Sequence, residues 1–323
     1  MKTAKMLSEL NMNESAIQKI GEKELGGTPH RIIRMTIGIC NEVYELKYPS
    51  ASYILRMNKE KEWLYGTHKF LPLFKKLKIK TPDILGEDYT KTHFPFCYQI
   101  QTKIEGQDLG VVMSQLSRAE LSLIAEEISE IFDKFKTLPD AEGFGSLTGL
   151  REEQYDSLLQ VLEKRRSDIL ERNKNSQVLD EEIMGIYDQL LEDYRDYFLH
   201  LKPKLYYDDI CSKNVMIHNG QFTGLVDLDF LMKGDYLEPI GTMLASWYGE
   251  ELGEFYVNEI MRLQNLNEFQ QQVVKVYATL NLILWLSEEG IQFNSNSSSV
   301  INWDRVEEKK RKIQGLYQSL KTQ

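Results

Sequence analysis

The chain has 323 residues, 42% hydrophobic and 27% charged, with a formal net charge of −10 at pH 7. That suits one large or two modest globular units with a real core. It argues against nucleic acid as a partner, which would call for a basic face, and points toward cationic small molecules. No apolar run approaches the roughly 18 residues of a membrane span, and the N-terminal stretch lacks the apolar core of a secretion signal. Cys40, Cys97 and Cys211 have neither metal nor disulfide spacing. A reducing cytoplasm is the expected setting.

Residues 1–30 read as a polar helical lead-in. From Arg31 the period changes to two: Arg31 to Ile37, Glu42 to Tyr48 and Ser52 to Met57 alternate apolar with polar residues and predict a meander of strands, turning at Pro49-Ser50-Ala51. Helical spacing runs from Trp63 to Leu77 and stops before Thr81-Pro82. Two further strands follow, Asp83 to Tyr89 and Phe96 to Ile104, and Glu105-Gly106 breaks the pattern. Beyond it the chain is mostly helical. Ser117 to Phe135 begins on a serine with Glu120 three residues later, the signature of a capping box. Helices are also predicted over Glu152–Arg172, Leu179–His200, Pro239–Tyr248, Glu250–Leu263, Glu268–Glu288 and Val306–Leu320, with a polar loop at Asn294–Ser299. The sum is an α+β, two-lobe plan. Residues 1–103 form a small antiparallel β lobe, a linker ends near 106, and 107–323 form a larger helical lobe.

One stretch in the larger lobe departs from the helical pattern. Asp209 and Asn214 stand five residues apart, an apolar strand follows, Asn219-Gly220 signals a hairpin turn, and a second apolar run ends on Asp227. Alone, Asp209 reads as a turn or cap residue and Asn214 as a loop amide. The ordered set is more demanding, and it is what phosphoryl transfer needs: an acid to orient an attacking hydroxyl, then an amide and a carboxylate to hold magnesium on phosphates.

The stretch resembles the signature of aminoglycoside kinases and their relatives, a His-x-Asp-x4-Asn loop followed by Ile-Asp-x-acid and Gly-Asp. Here the matching residues are Tyr207, Asp209, Asn214, Val226-Asp227-Leu228-Asp229 and Gly234-Asp235, with tyrosine in place of the histidine that supports the loop. Tyr53-Ile-Leu-Arg, Thr81-Pro82 and Phe144-Gly-Ser are similar to the hygromycin-type branch in particular. The resemblance spans about Arg31 to Ala245 and implies a protein-kinase-like fold. It also implies roles. Asp209 is the catalytic base, and Asn214 and Asp227 hold Mg2+. Gly38 and Asn41 lie in the loop over the phosphates, and Arg56 contacts the α- and β-phosphates. The backbone of Thr102 and Ile104 meets the purine of ATP or GTP. The acidic partner of Arg56 belongs on the following helix, where Glu62 is a weak candidate and the place counted back from Pro82 falls near Thr67 or His68.

The acceptor would be a hydroxylated, cationic small molecule, with Glu250, Glu251, Glu254, Glu288 and Glu289 as carboxylates for its amino groups, although glutamates on helices are ordinarily a solvated face. Trp247, Tyr248 and Trp285 would stack on a sugar or, by default, fill the core. The expected activity is phosphorylation of an aminoglycoside-type antibiotic by a monomer or weak dimer. The alternatives are a metabolic kinase of the choline, homoserine or methylthio-sugar type and a catalytically idle nucleotide binder.

Overall fold

The structure is a computed structural model that describes residues 2–36, 38, 40–293 and 296–321, with residues 2–13 as backbone alone. Helix α1 (Lys2–Leu25) leads into a meander of β1 (Arg31–Met35), β2 (Glu42–Lys47) and β3 (Ser52–Asn58), followed by α2 (Glu62–Lys76), β4 (Ile84–Asp88) and β5 (Cys97–Thr102). These strands form one antiparallel sheet in the order β1-β2-β3-β5-β4. Leu46, Leu55, Met57, Tyr98 and Ile100 point to one face, where Ile17 and Ile20 of α1 complete a small hydrophobic core. The period of two read from the sequence is the physical consequence of that one-sided burial. At the end of β3 both faces are covered, so Arg56 is as buried as its apolar neighbours.

The chain then runs through β6 (Gln107–Asp108), α3 (Leu109–Val112) and α4 (Arg118–Lys136), and on through β7 (Gly145–Leu147), α5 (Leu158–Ser176), α6 (Glu181–Asp193) and α7 (Arg195–His200). Next come β8 (Lys204–Tyr206), β9 (Val215–His218), β10 (Gln221–Leu225) and β11 (Leu231–Gly234), and then α8 (Glu238–Trp247), α9 (Glu251–Leu263), α10 (Glu268–Leu286) and α11 (Trp303–Lys321). Two three-stranded sheets, β10-β9-β6 and β7-β11-β8, sit within this helical part. Its large core gathers apolar faces from α4 to α11, and it also takes Phe70 and Phe74 of α2. The molecule is thus an α+β, two-lobe, protein-kinase-like fold whose first long helix after the meander reaches across to the other lobe's core.

The Ser117–Glu120 capping box forms as predicted. Other boundaries move for local reasons. The helix predicted from Glu152 starts at Leu158, capped by Ser157, because residues 144–155 bridge back on themselves (Phe144 to Tyr155, Leu147 to Glu152). The helix predicted over Leu179–His200 breaks at Tyr194 into α6 and α7. Short strands β6, β7, β8 and β11 carry too few residues to display a period. Ile37 and Ile39 in the loop after β1, and Asn294 and Ser295 in the predicted polar loop, lie outside the described residues.

Candidate active site

The hairpin between β9 and β10 turns on Asn219 and Gly220, both with positive φ (51° and 73°), as a tight antiparallel turn requires. It fixes two chain segments at the sheet's open end, the loop before β9 and the turn after β10. In the loop, the Asn214 side-chain amide donates to the Asp209 carbonyl at 2.9 Å and the Asn214 carbonyl accepts from Val226 N at 3.1 Å. One residue therefore ties the loop of Asp209 to the chain of Asp227. Asp227 holds a left-handed backbone, φ 61°, unusual for a residue with a β-carbon. The Tyr207 hydroxyl lies 3.0 Å from the Val226 carbonyl and 3.1 Å from that of Asp227, and donates to this turn from a fully buried position against Phe74. Tyrosine at this place supports the loop through its phenol, the job assigned above to the histidine.

Arg56 reaches the same turn from β3. Its Nη2 donates to Asp227 Oδ1 at 2.6 Å and to Asp229 Oδ2 at 2.5 Å, and its Nη1 to Thr67 Oγ1 at 3.1 Å. Asp229 is wholly buried, and its Oδ1 accepts from both the amide (2.9 Å) and the hydroxyl (2.7 Å) of Thr67 on α2. The Asp227 side chain remains 40% exposed, so of the two carboxylates on Arg56 it is the one open to solvent. Glu62 pairs instead with Arg151 at 3.1 Å, so the weak candidate for the partner of Arg56 is not that partner. The place near Thr67 holds, but it carries a hydroxyl where an acid was expected. Cys211, whose thiol donates to Asp209 Oδ1 at 3.3 Å, is a contributor that sequence reasoning left unassigned, whereas Asp229, matched above as part of the motif, serves Arg56 and Thr67.

Burial pushes the Asp209 carboxyl up to about 7, helped by the negative charges of Asp227 and Asp208. Asp208 is likewise raised to about 7, by burial and then by Glu238. Asp227 is also raised by burial, against the pull of Arg56 and with the push of Asp229. Two carboxylates, Asp227 and Asp229, share the Arg56 guanidinium, and the charge of Asp227 also acts on Asp209.

The loop residues Gly38 and Asn41 are placed less freely than a bare glycine loop. Asn41 is buried, donates to the Trp63 carbonyl at 3.1 Å and accepts from Asn58, so it braces the start of α2. Gly38 has φ 96° and its carbonyl accepts from Asn296 Nδ2 at 2.8 Å. At the linker, the Thr102 amide is spent on the Asp83 carbonyl at 2.9 Å, whereas among the described residues the amide of half-buried Ile104 meets no acceptor.

On the acceptor side the glutamates are mostly engaged. Glu251 pairs with Arg118 (2.7 Å), Glu254 accepts from Gly249 N, and buried Glu289 meets Lys309 (2.7 Å) and Arg305 (3.3 Å). Glu288 pairs with Arg172 at 3.3 Å, and burial raises its carboxyl. Trp247 is core, while Tyr248 and Trp285 are half-buried.

The donor set for a metal is one amide and one carboxylate. Among the described residues no three His, Cys, Asp or Glu side chains cluster to hold a cation. Magnesium keeps its waters and binds through one or two protein groups plus substrate phosphates, so one amide and one carboxylate could hold it. Asn214 Nδ2 donates to the Asp209 carbonyl, so its Oδ1 could serve a cation, and Asp227, paired with Arg56, keeps its side chain 40% exposed.

A two-lobe fold with an acid, an amide and a second acid gathered at one hairpin defines a small-molecule kinase. The chain belongs to the phosphotransferase enzyme family, whose model matches residues 32–271. No curated protein matches the sequence. Solved structures similar to it include a thermostable mutant of aminoglycoside phosphotransferase APH(4)-Ia in ternary complex with AMP-PNP and hygromycin B. That pair is 16% identical, with TM-score 0.72 over 94% of this chain and 98% of that one. Aminoglycoside 2'-phosphotransferase-IIIa in its GDP complex is 14% identical, with TM-score 0.67 over 95% and 99%. ADP-bound APH(2'')-Ib is 12% identical, with TM-score 0.62 over 94% and 97%.

Proposed function

We propose that this protein moves the γ-phosphate of ATP or GTP to a hydroxyl of an aminoglycoside-type antibiotic, with Mg2+ held by Asn214 and Asp227. The observation that carries the reading is the tie from Asp209 through Asn214 to the Asp227 turn, which supports a base and two metal donors held together at one hairpin. Residues 1–103 act as the nucleotide lobe and 107–323 as the acceptor lobe. Ile104 offers its amide to the purine edge, with Thr102 contributing through its carbonyl. Gly38 and Asn41 shape the loop over the phosphates. Arg56 adds positive charge beside them while holding Asp227.

Phosphoryl transfer is mainly positioning and charge neutralisation. Asp209 accepts a hydrogen bond from the acceptor hydroxyl and orients its oxygen for in-line attack. As the new P–O bond forms and the bond to the leaving diphosphate breaks, the hydroxyl proton passes to an Asp209 carboxylate oxygen. A carboxyl raised toward neutrality is basic enough to take it and to return it to solvent. When bound, magnesium neutralises charge on the β- and γ-phosphates. Asn214 and Asp227 would hold it, and Tyr207 keeps the Asp227 turn in place.

The hygromycin B and nucleotide complexes of the similar structures support the choice of acceptor and donor classes. The test is ADP and GDP release with a panel of aminoglycosides, hygromycin B included, beside choline, homoserine and a methylthio-sugar. Turnover on cationic antibiotics alone is expected. Turnover on a metabolite alone would replace the acceptor assignment. Nucleotide-dependent thermal stabilisation with no turnover would make the protein an idle binder.

A further inference from the structure

We infer that Asp229, reaching across from the catalytic turn, is the positioning residue of Arg56, and that the Arg56–Asp229–Thr67 cluster latches the two lobes together. The inference rests on the kinase reading for its consequence, and on geometry alone for the latch.

Arg56 lies on β3 and Thr67 on α2, both in the first part of the chain, while Asp229 lies 173 positions beyond Arg56. Every hydrogen bond described for the Asp229 carboxylate crosses that divide: two from Thr67 and one from Arg56. The approach is close along the backbone as well. A β-carbon at Gly66, the residue before Thr67, would lie 1.8 Å from the Asp229 carbonyl oxygen, so α2 must carry a glycine there to let the two segments meet. A buried carboxylate with those partners has no alternative in water. If Arg56 swung outward, Asp229 would be left charged and uncompensated inside the protein, which is strongly unfavourable. The guanidinium is therefore fixed.

The same arrangement sets the charge at the metal position. Arg56 divides its Nη2 between Asp227 and Asp229. Asp229 draws off part of the guanidinium's charge, so Asp227 stays electron-rich toward the cleft, where a divalent cation would sit. Without Asp229 the guanidinium would belong to Asp227 alone and compete with that cation.

The test uses Asp229→Asn, close in shape and neutral, on the full chain. In the nucleotide-free protein, hydrogen exchange at the amides of residues 64–67 is expected to quicken by about tenfold as the latch loosens. In ADP titrations, the Mg2+ concentration for half-maximal binding is expected to rise about tenfold. A purely structural role for Asp229 would lower the melting temperature without moving the magnesium midpoint. Should Asp229→Asn fail to fold, Thr67→Val removes the hydroxyl bonds to Arg56 and Asp229 and is expected to shift the same midpoint about threefold. Exchange at 64–67 and a magnesium midpoint both unchanged in a folded variant overturn the inference. If wild type shows no magnesium-dependent binding, the kinase reading fails while the exchange experiment still decides the latch.

Discussion

The floor of the cleft and its roof reach one cluster by opposite routes. On the floor, Asp209, Asn214 and Asp227 come from one short stretch, and a tight turn with local hydrogen bonds brings them together. In the roof, Arg56 and Thr67 stand on a strand and a helix and meet Asp229 across 162 positions of sequence or more. Geometry set locally can take a different supporting residue, as Tyr207 illustrates. Chemistry encoded over long range can move its partner to another element, as the acid facing Arg56 has done.

The comparison breaks most sharply at the base. Asp209→Ala is expected to lower turnover by at least about 10³-fold with nucleotide affinity within about threefold, read by steady-state kinetics and calorimetry. A variant as active as wild type would remove the floor from the account. In the roof, Arg56→Met should cost about 3–5 kcal/mol of stability, because it strands the buried Asp229, measured by chemical denaturation. A loss below about 1 kcal/mol would mean that the roof is not held by this pair. Tyr207→Phe removes one hydroxyl from the Asp227 turn and is expected to cost about 1 kcal/mol of stability and several-fold in turnover. Tyr207→His should recover part of both, and no recovery would count against a shared supporting role.

A separate effect is in pH. Asp209 and Asp208 titrate near 7 in the folded protein but near 4 when unfolded, so the folded state binds more protons between those values. Their contribution to stability is complete below about pH 4 and is lost as pH rises through about 7. Without metal or nucleotide, the melting temperature should therefore fall between pH 5 and pH 8, and Asp209→Asn should lessen the fall. An identical fall in that variant would contradict the raised Asp209.

The same contrast decides what was legible in the sequence. The strands of the meander, the Ser117 cap and the hairpin with its three polar residues follow from period, turn chemistry and spacing, all local. The short strands β7, β8 and β11 have too few residues for a period, and the break at Tyr194 leaves no breaker residue to read. The acid facing Arg56 was sought on α2, because only a folded chain reveals that Thr67 and Asp229 lie side by side. Glutamates in the last third that suggested an acceptor site are partly drawn into ion pairs such as Glu289 with Lys309, which no spacing announces.

The most direct measurement is calorimetric titration of ADP into wild type and Asp227→Asn, with and without Mg2+. Wild type should bind at least tenfold more tightly with the metal, and the variant should gain nothing from it. Equal magnesium enhancement in both proteins would contradict a metal held at the hairpin, and with it the kinase centre.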